Sequence, residues 1–260
     1  MQTTLKIKMV AGSLALLALF LAAWQWGPSS LGVPEFVLPK LSSTVAEGIR
    51  MFTTDNLAMH TGVTALEVVV GFLAGSLLGV VIGVVLGLSP TTETVLSPYI
   101  LALQIAPKVA FAPLFVMWMG YTIYPKILVA ILIVFFPVMV NVLGAVRAVD
   151  PDMVNLVRAM SGSRWQILRM VELPSAMQAL FAGLRIASTL AIVGVTVGEL
   201  VGGDRGLGYL LVYGEGQGDT AMVFVSITGL TVIGIVAYAA VAWLERRALH
   251  YLPRASMRTV

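Results

Sequence analysis

Long apolar runs separated by short polar intervals dominate the chain. A run of 18 or more apolar residues with few charges reads as a membrane-spanning helix. Six such runs fall at about 9–26, 62–88, 100–120, 126–146, 176–198 and 221–244. The pattern predicts an all-α membrane protein, one transmembrane domain over 1–260, with about six spans.

The first run follows Lys6 and Lys8, a start shared with signal peptides. It ends in Trp24-Gln25-Trp26 without a small-x-small cleavage pattern, so it reads as a retained span with interfacial Trp anchors. Residues 31–60 form a polar interval. In the second span, glycines at 71, 75, 79, 83 and 87 recur every fourth residue. They make a stripe without side chains along one helix face, against which a neighbouring backbone packs closely. Residues 89–99, bounded by Pro90 and Pro98, read as a turn-rich linker. Pro107 and Pro113 lie inside the third span and Pro137 inside the fourth. Interior prolines free carbonyls, which a bilayer tolerates only beside protein or a water-lined cavity. These two kinked helices are therefore candidates for lining a pathway.

Residues 150–174 break the pattern and cannot span, carrying Asp150, Asp152, Arg158, Arg164, Arg169 and Glu172. Asp150-Pro151 is a helix start, with Asp as N-cap and Pro at the first helical position. Met153, Leu156, Val157 and Met160 then recur at helical spacing. Ser161-Gly162 interrupts, and Ser163-Arg164-Trp165-Gln166 reads as a capping box. Trp165, Leu168 and Val171 give the second helix an apolar side, and Leu173-Pro174 ends it. The segment reads as two short amphipathic helices joined at a glycine elbow outside the bilayer. It lies in the headgroup layer or presents a surface to a soluble partner. Residues 202–219 read as a glycine-rich loop.

Hydrophobic residues make up 58% of the chain and charged ones 11%, against about 25% in soluble domains. Mean hydropathy is +0.95. A soluble enzyme and a nucleic-acid binder are excluded. Cysteine is absent and the two histidines, His60 and His250, are far apart, so a metal centre is not expected. With six spans, ten basic residues share the side of the termini and elbow: Lys6, Lys8, Arg147, Arg158, Arg164, Arg169, Arg246, Arg247, Arg254 and Arg258. Lys40, Arg50, Lys126 and Arg205 fall opposite. The positive-inside rule then places both termini and the elbow in the cytoplasm.

The stretch Asn155-Leu-Val-Arg-Ala-Met-Ser-Gly-Ser-Arg-Trp-Gln-Ile-Leu-Arg-Met-Val-Glu-Leu-Pro174 resembles the EAA loop of ABC-importer permeases. Aligned on Ser163 and Pro174, it keeps Arg158, Ser163, Trp165, Leu173 and Pro174. Asn155 stands where the family's Glu is usual, Leu156 and Val157 replace two Ala, and Ser161-Gly162 replaces Gly-Ala. Residues 104–120, Gly183-Leu-Arg185, and Glu199 followed by Gly206-Leu-Gly208 are similar to the nitrate/sulfonate/taurine group of type I importers. Pro107-Lys108 and Phe135-Phe136-Pro137 look closer to the branch linked to thiamine- or flavin-precursor pyrimidines. The resemblance covers about residues 38–211.

It implies a permease subunit of an ATP-driven, binding-protein-dependent importer in a bacterial inner membrane. No Gly-x-x-x-x-Gly-Lys-Ser/Thr loop occurs, so this chain is not itself the ATPase. ATP and Mg would be held by separate cytoplasmic ATP-binding cassette subunits, coupled through Arg158, Ser161, Gly162, Ser163, Arg164, Trp165, Leu173 and Pro174. The other implied partners are a periplasmic or lipid-anchored solute-binding protein and a second permease copy, as homodimer or paralogue pair.

Ionisable residues at membrane depth are functional candidates by default. Glu67, Lys108, Arg185 and Glu199 qualify, with Gln104 and Asn141 as uncharged companions. Gln104, Lys108, Asn141 and Glu199 are the candidate substrate pathway, with Lys108 preferred because it follows the Pro107 kink. Snorkelling or pairing with a carboxylate is its alternative. Glu199 is a gate or a structural pair, and Arg185 serves packing or the elbow. Glu67 sits at the outer interface. An ion-coupled secondary transporter using Glu67, Lys108 or Glu199 is the competing class, though no inverted repeat of broken helices accompanies it.

Overall fold

A computed structural model describes residues 2–250, with side chains from Met9 onward. Arg254 and Arg258, two of the basic residues in the orientation count, lie outside the described residues. Every regular element among the described residues is helical. In order these are α1 (Gln2–Ser30), α2 (Leu41–Thr54), α3 (Leu57–Gly87), α4 (Pro90–Ile105), a 3-10 turn (Lys108–Phe111) and α5 (Ala112–Met119). Then follow α6 (Ile123–Arg147), α7 (Pro151–Ala159), α8 (Arg164–Ile167), a π segment (Leu168–Glu172), α9 (Leu173–Gly202), α10 (Leu207–Gln217) and α11 (Thr220–Ala248). Five helices are long and apolar enough to cross a bilayer, or six if the bent α4–α5 pair is one span.

The core is a three-helix sandwich of α3, α6 and α9. The glycine stripe of α3 faces α6, where Ala130, Val134, Val138, Val142 and Val146 recur with the same four-residue period. A Cβ added at Gly71, Gly75, Gly79, Gly83 or Gly87 would come within 2.9 Å of α6 atoms. Both series ascend together, so α3 and α6 run parallel, with valine ridges seated where side chains are missing. On the other side of α6, Gly183 meets Asn141, Gly194 meets Ala130 and Gly198 meets Lys126. The numbers there run in opposite senses, so α9 is antiparallel to α6. The close approach expected of the α3 stripe is what the structure shows.

Four elements depart from the sequence reading. Residues 89–99 are helix, not linker, because Ser89 caps α4 and Pro90 occupies its first turn, where a missing N–H costs nothing. The third span is not one kinked helix over 100–120. It breaks at Ala106-Pro107 and bends by 76°. Ala106 is held extended (φ −51°, ψ 136°), the conformation that a following proline imposes. Pro113 sits in the first turn of α5 and kinks nothing. Within the polar interval, α2 is an amphipathic helix. Its Thr44 and Met51 are buried and Gly48 lies against Val225, while Val45, Ile49 and Phe52 face outward. Residues 207–217, read as loop, form α10, whose Leu207 and Leu210 pack with Met51, Met222 and Leu230.

The elbow differs at its second half. Asp150 accepts from the Asp152 N–H at 2.9 Å, and the Ser163/Gln166 capping box is formed in both directions. Leu173-Pro174, however, does not end a short helix. The Leu173 N–H bonds to the Leu168 carbonyl five residues back, a π register that carries the helix past the proline. Residues 164–202 are thus one apolar helical run of 39 residues.

Candidate functional site

Two arrangements of side chains occupy opposite ends of the sandwich, and a third lies between them. At the end far from the elbow, α3, α6 and α9 bring together His60, Thr64, Glu67, Lys126 and Glu199. The Lys126 Nζ lies 3.1 Å from Glu67 Oε1, both side chains 1% exposed, and donates to the Arg205 carbonyl at 3.2 Å. Glu199 accepts from Thr64 Oγ1 and from the Gly208 N–H, each at 2.6 Å. Thr64 in turn accepts from the Leu207 N–H at 2.8 Å, and His60 Nδ1 accepts from the Gly206 N–H at 3.0 Å.

Three successive N–H groups at the start of α10 are thereby satisfied by buried side chains from two helices, which is what an uncapped helix N-terminus requires. Gly206 adopts φ +111°, and a Cβ there would collide with the Glu199 carboxylate. At Gly208 a Cβ would lie 2.7 Å from Glu199 Cβ. The Glu199…Gly206-Leu-Gly208 pattern is therefore one unit, an acid and the glycines that let a backbone turn close onto it.

Glu67 does not sit at the outer interface, and Lys126 is not a charge of the outer loop. Each neutralises the other inside the bundle, since a buried ion is tolerated only when paired. Sequence reading missed Lys126 because it stands at the edge of an apolar run. Its only signal was a lysine three residues into a helix whose partner stripe also carries a glutamate. Glu199 lies at the same end of the bundle, held by the Thr64 hydroxyl and the Gly208 N–H.

The four candidate pathway residues do not converge. Gln104 and Lys108 flank the α4–α5 break, where the Lys108 Nζ donates to the Gln104 carbonyl and lies 4.8 Å from the centre of the Phe136 ring. Asn141 donates to the Pro137 carbonyl at 2.8 Å and packs against Gly183 on the α9 side. Glu199 is in the buried network. Arg185 pairs with Glu245 of α11 at 3.4 Å, a packing role. Trp118 and Tyr121 are exposed, in keeping with interface aromatics.

The elbow end holds all the candidate coupling residues. Its apolar residues divide between two faces. Ile167 and Val171, one helical turn apart, are buried against the bundle. Met153, Leu156, Met160, Trp165 and Met170 are 52–77% exposed. Trp165 thus belongs to the outward face, not to the inward one with Val171. Arg164 donates to the Leu88 carbonyl at 3.3 Å and lies 4.0 Å from Glu172, which docks the elbow onto the end of α3. Arg158 and Asn155 line a cleft of about 440 Å³ beside Arg147 and Arg164.

At the corner, Ser161 carries the left-handed conformation, φ 60°, while Gly162 does not. Gly162 is needed for a different reason. Its N–H donates to the Val157 carbonyl at 2.9 Å, and a Cβ would lie 2.7 Å from that oxygen. The glycine of the elbow is thus a close-approach residue, and the left-handed turn is made by the serine before it.

Residues 75–250 match the family described as the binding-protein-dependent transport system inner membrane component. The chain is 38% identical to the riboflavin transport system permease protein of Chloroflexus aurantiacus, over 88% of this chain and 86% of that one. It is 32% identical to a putative aliphatic sulfonates transport permease of Bacillus subtilis, over 92% and 86% of the two chains. Among solved structures, an inward-facing form of the MetNI methionine ABC transporter shares the fold, with a TM-score of 0.64 and 19% identity. It covers 74% of this chain and 95% of that one.

Proposed function

The chain belongs to the family of binding-protein-dependent transport inner membrane components, and from that premise we propose how it couples and what it carries. It is the permease component of an ABC importer. In our reading its elbow, residues 150–174, docks into a separate cytoplasmic ATPase that holds ATP and Mg, and a solute-binding protein delivers solute to the opposite face. One chain supplies one elbow, so two permease copies face two ATPases.

The observation that carries this reading is the elbow's outward face. Five large apolar side chains stand exposed on a segment that is capped at both helix starts and pinned to the bundle by Arg164. A rigid, unpartnered apolar patch rimmed by arginines suits a protein interface better than lipid. The relatives are named for riboflavin and for aliphatic sulfonates, and the solute proposed here is likewise a small organic molecule bearing acceptor oxygens. The ion-coupled alternative is not favoured, because Glu67 and Glu199 are each held by buried partners, Lys126 for one and Thr64 with the Gly208 N–H for the other, while Lys108 lies apart from both.

Co-purification of the tagged chain with an ATP-binding cassette subunit from the same organism tests the coupling. Trp165→Asp and Met160→Asp, both on exposed positions, are expected to abolish ATPase capture while leaving membrane insertion and thermal stability unchanged. Gly162→Pro, which removes the bond to Val157 and sets a Cβ against its carbonyl, is expected to lower thermal stability and to lose ATPase capture and uptake, with membrane insertion retained. Undiminished capture by all three variants would overturn the assignment.

A further inference from the structure

Lys108 presents a cation where the bundle offers it no counter-charge. Its Nζ lies against the ring of Phe136, the fourteenth of the twenty-five residues of α6, so it stands near mid-depth of that span. A lone ammonium at that depth is expensive, and such residues face a water-filled cavity or a bound group. Lys126, the other lysine within the spans, meets the cost by pairing with Glu67. Lys108 pairs with no carboxylate among the described residues. It contacts only the Gln104 and Ala106 carbonyls and the aromatic ring.

The backbone around it is equally unusual. The 76° break at Ala106-Pro107 ends one helix and starts another at the same level, and irregular backbone at membrane depth is tolerated only where it is covered by protein or lines a cavity. An ammonium has three donors and no acceptor. Two carbonyls occupy two of them, which leaves one N–H and the net charge for something else. Gln104, one turn earlier, is exposed.

We propose that the α4–α5 break is a solute-contact site, in which Lys108 receives an acidic or carbonyl oxygen of the transported molecule while the buried Phe136 ring backs the ammonium from the bundle side. This rests on the permease reading and adds the chemistry that the pathway selects for. The ligand class is a small organic solute with a carboxylate, sulfonate or carbonyl group. A purely cationic solute is disfavoured, because the site then meets it with like charge.

The absence of cysteine allows a test that does not require knowing the solute. Gln104→Cys, in the assembled transporter in membrane vesicles, is treated with 2-sulfonatoethyl methanethiosulfonate or with its trimethylammonium counterpart. Both are water-soluble and differ in charge. The expected result is reaction with both, at a sulfonate-to-ammonium rate ratio above that of a free thiol in solution. Adding Lys108→Met is expected to lower the sulfonate-to-ammonium rate ratio by about tenfold, the scale of one nearby charge in a partly dry site. Adding Lys108→Arg is expected to preserve it.

Ala106→Cys serves as a second reporter should the first variant fail to insert. No reaction at either position, or a ratio that ignores Lys108→Met, would overturn the proposal. Labelling needs neither ATP nor solute, so ATP hydrolysis and uptake by the same vesicles judge the permease reading separately.

Discussion

Replacing Lys126 by Met isolates what the buried ion pair does for the fold. Met approximates the volume of the lysine stem, so little cavity forms and the change is chiefly one of charge. In the native chain Lys126 and Glu67 are each 1% exposed and their charged atoms are 3.1 Å apart. Deleting the ammonium strands the Glu67 carboxylate in the bundle and leaves the Arg205 carbonyl without its 3.2 Å donor. Breaking one side of a buried pair costs about 3–5 kcal/mol. For a chain of this size that lowers the unfolding midpoint by on the order of 10 °C.

The assay is thermal unfolding of the full chain in detergent, run as a double-mutant cycle with Glu67→Met. Two apolar residues in place of the pair restore neutrality, so the double variant is expected to recover at least about 2 kcal/mol of the single loss. A loss under about 1 kcal/mol for Lys126→Met, or a double variant worse than the sum of the singles, would refute the pairing argument.

Other substitutions probe other parts of the structure. Ser161→Gly relieves a left-handed residue at φ 60° and is expected to stabilise the chain by roughly 1 kcal/mol, read as a higher unfolding midpoint. Gly79→Val places a side chain against the Phe135 carbonyl and Val138, and overpacking of this kind costs at least about 1–3 kcal/mol. Folded yield in the membrane is expected to fall sharply, whereas Gly144→Val, which meets nothing within 4 Å, is expected to be tolerated there. The carboxyl of Glu35 is held below its ordinary value of 4.5 by its hydrogen bond and charge contact with Lys40. The pair therefore persists as pH falls until that lowered value, and Lys40→Met is expected to return the Glu35 midpoint toward 4.5 in a pH titration.

Much of the bundle was legible because its signals are local. The apolar runs marked the core helices, and the four-residue glycine period announced the close contact with α6. The Asp150-Pro151 and Ser163–Gln166 caps marked the elbow. What escaped notice depends on contacts between distant segments. Lys126 reads as a loop charge until α3 is known to bring Glu67 beside it. The helix α10 hides behind its glycines, two of which are there to accommodate Glu199 rather than to end a helix. Pro174 looked like a terminator, yet a single π register absorbs it. Glycine usually takes the left-handed position at a helix corner, but here Ser161 does and Gly162 does not.

The continuity of residues 164–202 ties the two ends of the molecule together. At about 1.5 Å per residue, 39 residues extend close to 58 Å, enough to run from the elbow through a bilayer core of about 30 Å. Trp165 stands in the first turn of this rod and Glu199 in its last. Under the proposed coupling, a displacement imposed at Trp165 reaches Glu199 without crossing a loop. Glu199 then holds the start of α10 through the Gly208 N–H. The glycines of α9 place its backbone directly on α6 at Ala130 and Lys126, so a shift of the rod is felt by the same lysine that neutralises Glu67. A buried ionic network is a costly way to hold a helix turn that apolar packing would hold more cheaply. It does fix one register, because a shift that separates Lys126 from Glu67 leaves a charge unpaired in the bundle, and one that separates Gly208 from Glu199 removes a donor from a buried carboxylate. Under the proposed coupling, the network acts as a stop that defines a single seated position of α9 and α10.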